Sequence, residues 1–170
     1  MMSAVEFVAV PASDEVLHAK LPPYKSEVNR WLILMAQLPS LRLVLKLEKL
    51  AEDNLLMLSV LEKVGFQLVW DGDTLHLRPP VSYPEAPIHL NIKRCGTCAR
   101  FILPLLRTLP GRFVLDGDEL MRQRPIRGLV EALEKSGAAI QRQANAELPL
   151  AIDGKNSRLS TDIEVNKTHS

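Results

Sequence analysis

The chain has 170 residues, of which 46% are hydrophobic and 5% aromatic, and its formal net charge is +1. The balance of 21 basic against 20 acidic residues gives no general attraction to nucleic acid or to an anionic membrane. So few aromatic side chains also provide no platform for stacked bases, and we expect neither kind of partner.

Other patterns narrow the class of protein. No apolar run approaches the roughly 18 residues of a membrane span, and Met1–Phe7 lacks the basic-then-apolar order of a secretory signal. The two cysteines do not make a disulfide framework, and the four histidines are scattered rather than grouped as zinc ligands. We therefore expect a cytoplasmic protein that uses no metal and no cofactor.

The spacing of apolar residues predicts six elements in the first half of the chain. They are a strand at His18–Leu21, a helix at Lys25–Leu38, a strand at Leu41–Leu45, a helix at Ala51–Val64, and strands at Phe66–Trp70 and Thr74–Arg78. Asp71-Gly72-Asp73 predicts a tight turn between the last two strands. The residues expected in the core are Leu32, Met35, Leu38, Leu55, Leu58, Leu61 and Val64.

The second half of the chain repeats this order. The sequence Leu-Glu-Lys-Val-Gly at Leu61–Gly65 returns about 70 residues later as Leu-Glu-Lys-Ser-Gly at Leu133–Gly137. The matching elements are a strand at Ile88–Ile92, a helix at Gly96–Leu109, a strand at Arg112–Leu115, a helix at Pro125–Ser136, and strands at Ala138–Gln143 and Leu148–Ile152. Pro79–Pro84 predicts a linker, and a third unit is expected to begin at Leu159–Val165. The sequence predicts an α+β protein of tandem βαβαββ units, with helices packed against mixed sheets.

Two predicted helix starts carry the same kind of side chains. Lys25, Ser26 and Arg30 belong to the first, and Gly96, Thr97 and Arg100 belong to the other. Free backbone N–H groups and the helix dipole favour anions at such positions. Alternatively, Ser26 caps its helix while Lys25 and Arg30 are solvated.

A third group of cations surrounds Pro125, a residue suited to the first turn of a helix. The group consists of Arg122, Arg124 and Arg127. Cations at a helix start oppose its dipole, so they favour either a bound anion or a surface patch. In the second case they would pair with Asp116, Asp118 and Glu119.

Cys95-Gly96-Thr97-Cys98 has the spacing of a redox-active thiol pair at a helix start. Arg94 stands where such motifs usually have an aromatic residue, and the repeated units differ from a thioredoxin-like fold. A thiol oxidoreductase is therefore an alternative interpretation of this segment.

Taken together, these segments resemble the 5-enolpyruvylshikimate-3-phosphate (EPSP) synthase family over roughly residues 17–170. The matching motifs are Leu21-Pro22-x-x-Lys25-Ser26-x-x-Asn29-Arg30, Gly96-Thr97-x-x-Arg100-Phe101, Met121-x-x-Arg124-Pro125-Ile126 and Leu148-Pro149-Leu150-x-Ile152-x-Gly154. The resemblance implies the inverse αβ-prism fold of enolpyruvyl transferases. It also implies transfer of the enolpyruvyl group of phosphoenolpyruvate to the 5-hydroxyl of shikimate 3-phosphate, a step of aromatic amino acid biosynthesis.

The resemblance implies roles for the matching residues. The expected ligands of shikimate 3-phosphate are Lys25, Ser26, Arg30 and Ser170, and those of phosphoenolpyruvate are Lys25, Gly96 and Arg124, with Thr97 and Arg100 in support. Lys25 is the expected catalytic residue, because it would help to move protons. The phosphoenolpyruvate phosphate site is the one that glyphosate occupies in sensitive members of the family.

The loop before Gly96 departs from the family pattern. Where the family usually has Gly-Asn-Ala-Gly-Thr-Ala, this chain has Lys93-Arg94-Cys95-Gly96-Thr97-Cys98. The first two replacements add bulk and charge beside the phosphoenolpyruvate site. We expect them to affect catalytic efficiency and glyphosate sensitivity.

Members of the family are more than twice as long as this chain. The expected organisation is a segment at 1–16 that packs on an opposing lobe, units at 17–80 and 87–154, and the start of a third unit at 155–170. The resemblance implies that the carboxy-terminal lobe supplies the principal acid/base carboxylates and further cations. The chain is thus expected to be an amino-terminal part that is inactive alone, or a non-catalytic module of the same type.

Overall fold

The computed structural model describes residues 25–44, 50–143 and 146–158. Its helices are α1 (Lys25–Gln37), α2 (Glu52–Val64), α3 (Gly96–Leu106), α4 (Glu119–Arg122) and α5 (Arg127–Lys135). Its strands are β1 (Arg42–Val44), β2 (Gln67–Asp71), β3 (Thr74–Arg78), β4 (Ile88–Asn91), β5 (Arg112–Asp116), β6 (Ala139–Arg142) and β7 (Leu150–Asp153). The predicted strand at His18–Leu21, the segment 1–16, the start of a third unit at Leu159–Val165, and Ser170 lie outside the described residues.

The strands form two sheets. The three strands of the first sheet and the last three strands of the second have the same spatial order. The first sheet runs β1-β3-β2, and the second runs β4-β5-β7-β6. All pairs are antiparallel except β4 with β5, which are parallel. Helices combined with a mixed sheet confirm the α+β class. The exact division of the chain into domains stays a prediction.

Two glycines occupy positions where the backbone has a positive φ angle. Gly65 ends α2 in the left-handed region, with φ +112°, and its N–H bonds the carbonyl groups of the last turn. Gly72 has φ +56° in the loop of the β2–β3 hairpin, where Asp71 pairs with Thr74. The helix stop and the tight turn predicted from the sequence are therefore both confirmed.

The core forms where α1 packs against α2 and α3. Leu32, Met35, Leu61 and Ile102 are at most 1% exposed, as the helical spacing predicts. The predictions for Leu38 and Leu55 are wrong, since these residues are 41% and 47% exposed. Leu38 follows the last residue of α1, and Leu55 lines an open groove beside α2. None of the helices in the described ranges is long and apolar enough to cross a membrane.

The segment before α5 differs from the predicted helix at Pro125–Ser136. The short helix α4 precedes it, capped by Asp118, whose carboxylate accepts the N–H of Met121 at 2.9 Å. The next helix begins only at Arg127. The N–H of Ile126 instead donates to the Glu147 carboxylate at 3.0 Å. The two residues are far apart in the chain, so no local sequence pattern predicts this hydrogen bond. Pro125 therefore lies in the connection between two helices.

Candidate functional site

A buried polar network joins the starts of α1, α2 and α3. The Asn54 side-chain amide donates to the backbone oxygen of Lys25 at 2.7 Å and to Oδ1 of Asn29 at 2.9 Å. Both asparagine residues are at most 1% exposed. Nδ2 of Asn29 lies 3.9 Å from the sulfur of Cys98, whose thiol donates to the backbone oxygen of Asp53 at 3.4 Å. Each helix start is thereby held against the other two.

Asn54 also stabilises its own helix. Its Oδ1 accepts the backbone N–H of Ala51 at 3.2 Å, which satisfies a donor at the start of α2. The sequence pattern indicates no role for Asn54. The available signal was an asparagine in the first turn of α2, which also fits a plain cap.

Lys25 begins α1 and points to the start of α2. Its Nζ lies 3.0 Å from a carboxylate oxygen of Asp53. This hydrogen bond and the charge of Asp53 raise the pKa of Lys25 above its ordinary value. The lysine is therefore a protonated donor at the junction of the helix starts. Asp53 is a partner that the sequence analysis did not assign.

Two guanidinium groups lie over the glycine at the start of α3. A Cβ atom at Gly96 would lie 3.0 Å from Nη1 of Arg124 and 3.1 Å from Nη1 of Arg100. Nη1 of Arg124 lies within 3.4 Å of the Arg94 carbonyl oxygen, and the Arg100 guanidinium bonds the carbonyl oxygens of Gly96 and Pro125 at 3.4 Å. Both guanidinium groups lie at the positive end of the α3 dipole. Because positive charges at this position repel one another, the arrangement favours a bound anion.

The remaining predicted site residues in the described ranges have other neighbours. The Arg30 guanidinium lies 5.6 Å from the ring centroid of Phe101, on the exposed side of the α1–α3 contact. Ser26 is half-buried in the first turn of α1, and the Thr97 hydroxyl lies 3.2 Å from the sulfur of Cys95. We call Lys25, Gly96, Arg100 and Arg124 the cationic mouth, because the two arginine residues lie over Gly96 and the charges of Cys95 and Arg124 act on the Lys25 ammonium.

The arginine residues near Pro125 have different partners. Arg122 makes a two-point ion pair with Asp116 at 2.9 and 2.6 Å, and Arg127 pairs with Glu147 at 3.5 Å. Within the described ranges, no carboxylate pairs with Arg124. The surface-patch interpretation therefore fits Arg122 and Arg127, whereas the geometry of Arg124 fits the anion-site interpretation.

Lys93 and Arg94, the two residues that depart from the family pattern before Gly96, have different roles in the loop. The Arg94 side chain is 73% exposed and lies 2.5 Å from the Asp118 carboxylate. Lys93 has φ +49°, the left-handed region that glycine adopts without a steric cost. Its carbonyl oxygen accepts the N–H of Asp118 at 3.0 Å, which fixes the loop against the start of α4. The charge added by Arg94 is therefore paired with Asp118.

Lys93→Gly is expected to raise the free energy of unfolding by about 0.5 kcal/mol, because strain relief outweighs the extra freedom of the unfolded chain. Lys135→Gly, at a right-handed helical position, is the matched control and is expected to cost about 1 kcal/mol. Urea denaturation of both variants measures the difference. Equal destabilisation of the two variants would contradict the strain at Lys93.

Comparisons with known proteins agree on one family. The family profile described as EPSP synthase (3-phosphoshikimate 1-carboxyvinyltransferase) matches residues 13–168. A relative of that name from Pseudomonas syringae pv. tomato is 28% identical over 98% of this chain and 40% of its own length. A relative of that name from Archaeoglobus fulgidus is 34% identical over 80% of this chain and 32% of its own length.

A solved structure has a similar fold. The structure of EPSP synthase from Acinetobacter baumannii aligns with a TM-score of 0.58 and 20% sequence identity, over 81% of this chain and 32% of that one. This similarity supports the enolpyruvyl transferase type of fold. The chain spans about 40% of the length of the curated Pseudomonas relatives that it matches.

Proposed function

The chain belongs to the EPSP synthase family, and we propose that it takes part in transferring the enolpyruvyl group of phosphoenolpyruvate to the 5-hydroxyl of shikimate 3-phosphate. In this reaction the hydroxyl adds to the enol carbon, a tetrahedral intermediate forms, and phosphate leaves. The observation that carries the proposal is the cationic mouth, in which Arg100 and Arg124 lie over Gly96 while Lys25 stands at the neighbouring helix start.

The chemistry of the reaction suits such a mouth. Both substrates are multiply charged anions, so cations must offset their repulsion before the reacting atoms can approach. Arg124 and the start of α3 would hold the phosphate of phosphoenolpyruvate and stabilise the charge on the departing phosphate. The protonated Lys25 side chain would donate hydrogen bonds to both substrates. Ser26 and Arg30 are proposed to hold shikimate 3-phosphate.

We propose that turnover also requires groups from the part of the relatives that this chain does not match. The cationic mouth supplies donors, and Asp53 and Asp118, which line the adjoining groove, are already paired with Lys25 and Arg94. A cytoplasmic location is part of the same proposal. The free thiols Cys95 and Cys98 are compatible with a reducing compartment.

Binding can be tested on this chain by NMR titration with shikimate 3-phosphate and then with phosphoenolpyruvate. We expect shifts of the Ser26 and Arg30 signals with the first ligand and of the Gly96 and Arg124 signals with the second. Lys25→Met is expected to weaken binding about tenfold, because it removes a charge-assisted hydrogen bond.

Lys135→Met is the matched control, since this lysine is exposed at the far end of α5. It is expected to bind like the wild type. If no signal of the cationic mouth moves at millimolar ligand, or if both variants lose affinity equally, the proposed site is wrong. Mixing the chain with a polypeptide that covers the remaining length of a relative, followed by a phosphate-release assay, separates a catalytic part from a non-catalytic module.

A further inference from the structure

We propose that Cys95 and Cys98 are a reversible dithiol–disulfide modification site, which reacts with low-molecular-weight disulfides and controls the cationic mouth. The proposal concerns a modification of this chain and not an oxidoreductase activity on other proteins. Its chemical part stands on the geometry of the two thiols. Its consequence for anion binding rests on the proposed function.

The two thiols share the first turn of α3. Cys95 is the N-cap residue, and its sulfur accepts the backbone N–H of Cys98 at 3.1 Å. The N-cap side chain therefore lies beside residue Cys98 instead of pointing away from the helix. Only Gly96 and Thr97 separate the cysteines in the chain, so a bond between them closes a very small loop that contains Gly96 of the cationic mouth.

The surroundings of the two thiols give them different roles. Both cysteines are buried, but Cys95 is 3% exposed and lines the open groove between α2 and the loop before α3, whereas Cys98 is 0% exposed among the three helix starts. Hydrogen bonding from Cys98 and from the Thr97 hydroxyl, against the opposing effect of burial, lowers the pKa of Cys95 to about 7. The same thiol pair and burial raise the pKa of Cys98. Cys95 is thus the attacking thiolate and Cys98 the resolving thiol.

The reaction with glutathione disulfide balances in two steps. The Cys95 thiolate attacks one sulfur of the disulfide, forms a mixed disulfide and releases one glutathione thiolate. The Cys98 thiol then attacks the Cys95 sulfur, and its proton passes to the second glutathione as that thiolate leaves. Two protein thiols are oxidised to one disulfide, and one glutathione disulfide is reduced to two thiols.

Oxidation removes contacts that hold the helix starts together. The reduced Cys98 thiol donates to the backbone oxygen of Asp53 and lies next to the Asn29 amide. A disulfide has no S–H donor, so the Asp53 carbonyl loses this partner. Asp53 holds Lys25, and Gly96 lies inside the new loop. Oxidation is therefore expected to move both sides of the cationic mouth.

Mass spectrometry of the full chain in glutathione redox buffers, after trapping of free thiols, tests the chemical part. The wild type is expected to show an internal disulfide that dithiothreitol reverses. Cys98→Ala is expected to accumulate one glutathione on Cys95, and Cys95→Ala none, because Cys98 is buried. Alkylation of Cys95 by iodoacetamide is expected to have a pH midpoint near 7, which rises in Cys98→Ala. A wild-type protein that keeps two thiols in oxidising buffer, or carries two glutathiones, would overturn the proposal.

A second measurement addresses the consequence for binding. Phosphoenolpyruvate is expected to bind the oxidised wild type about tenfold more weakly than the reduced wild type, with the two forms separated before titration. Equal affinity of the two forms would overturn the control of the cationic mouth. If the disulfide forms but the reduced protein does not bind phosphoenolpyruvate, the proposed function fails, and the chemical part of the modification site remains.

Discussion

Gly154→Ala is expected to lower the free energy of unfolding by about 3 kcal/mol, the upper range for overpacking in a folded core. A Cβ atom at this position would collide with the carbonyl oxygen of Leu109 and lie 2.8 Å from that of Leu106. Both obstacles are backbone atoms, which cannot rotate away as a side chain does. The turn after β7 would have to separate from the end of α3. Urea denaturation with an unchanged m-value measures this loss.

Gly128→Ala is the matched control for this substitution. No atom lies within 4 Å of a Cβ at Gly128, which is in the first turn of α5. Alanine there is expected to raise the free energy of unfolding by about 0.5 kcal/mol, because it favours the helix over the unfolded chain. The same chemical change should therefore have opposite signs at the two positions. Equal effects would contradict the close backbone approach at Gly154.

Asn54→Ala is the second change with a large expected effect, a loss of about 3 kcal/mol in the free energy of unfolding. The substitution leaves the Lys25 carbonyl oxygen, Oδ1 of Asn29 and the Ala51 N–H without their partner. Such groups cost more when they are buried and unpaired than a hydrogen bond contributes when it is made. Because the network holds the helix starts, ligand binding at the cationic mouth is expected to weaken as well.

Asn156→Ala is the control for loss of an asparagine at an exposed site. Asn156 bonds the Asp153 carboxylate at 2.8 Å in the turn after β7. Because water replaces this bond on the surface, the expected cost is below about 1 kcal/mol. Thermal and urea unfolding of both variants gives the comparison. If the two losses were similar, the buried network would not be a major source of stability.

Most elements could be predicted from local signals. Apolar residues at helical spacing predict α1 and α2. Gly65 marks the end of α2, and Asp71-Gly72-Asp73 marks the turn of the β2–β3 hairpin. These signals operate over a few residues, so they depend little on how the rest of the chain folds. Elements without such a signal were missed: α4 depends on the Asp118 cap within a segment of only four helical residues.

The sequence by itself determined the α+β class and the order of the described elements other than α4, because periodicity is a property of the chain alone. Its motifs carried the resemblance to the family. It also placed Lys25, Gly96 and Arg124 among the candidates for an anion site. The residue pattern alone left open whether Arg122, Arg124 and Arg127 face a bound anion or form a surface patch, whereas the family resemblance implied a role for Arg124.

Only the tertiary structure shows which groups these arginine residues contact. Asp116 and Glu147 pair with Arg122 and Arg127, whereas the Arg124 guanidinium lies over Gly96. Asn54, distant in the chain from both Lys25 and Cys98, joins the helix starts. Ion pairs and buried hydrogen bonds depend on distances of a few ångströms between segments that are far apart in sequence. Local patterns do not contain those distances, so the arrangement of the cationic mouth follows from the packing of the three helices.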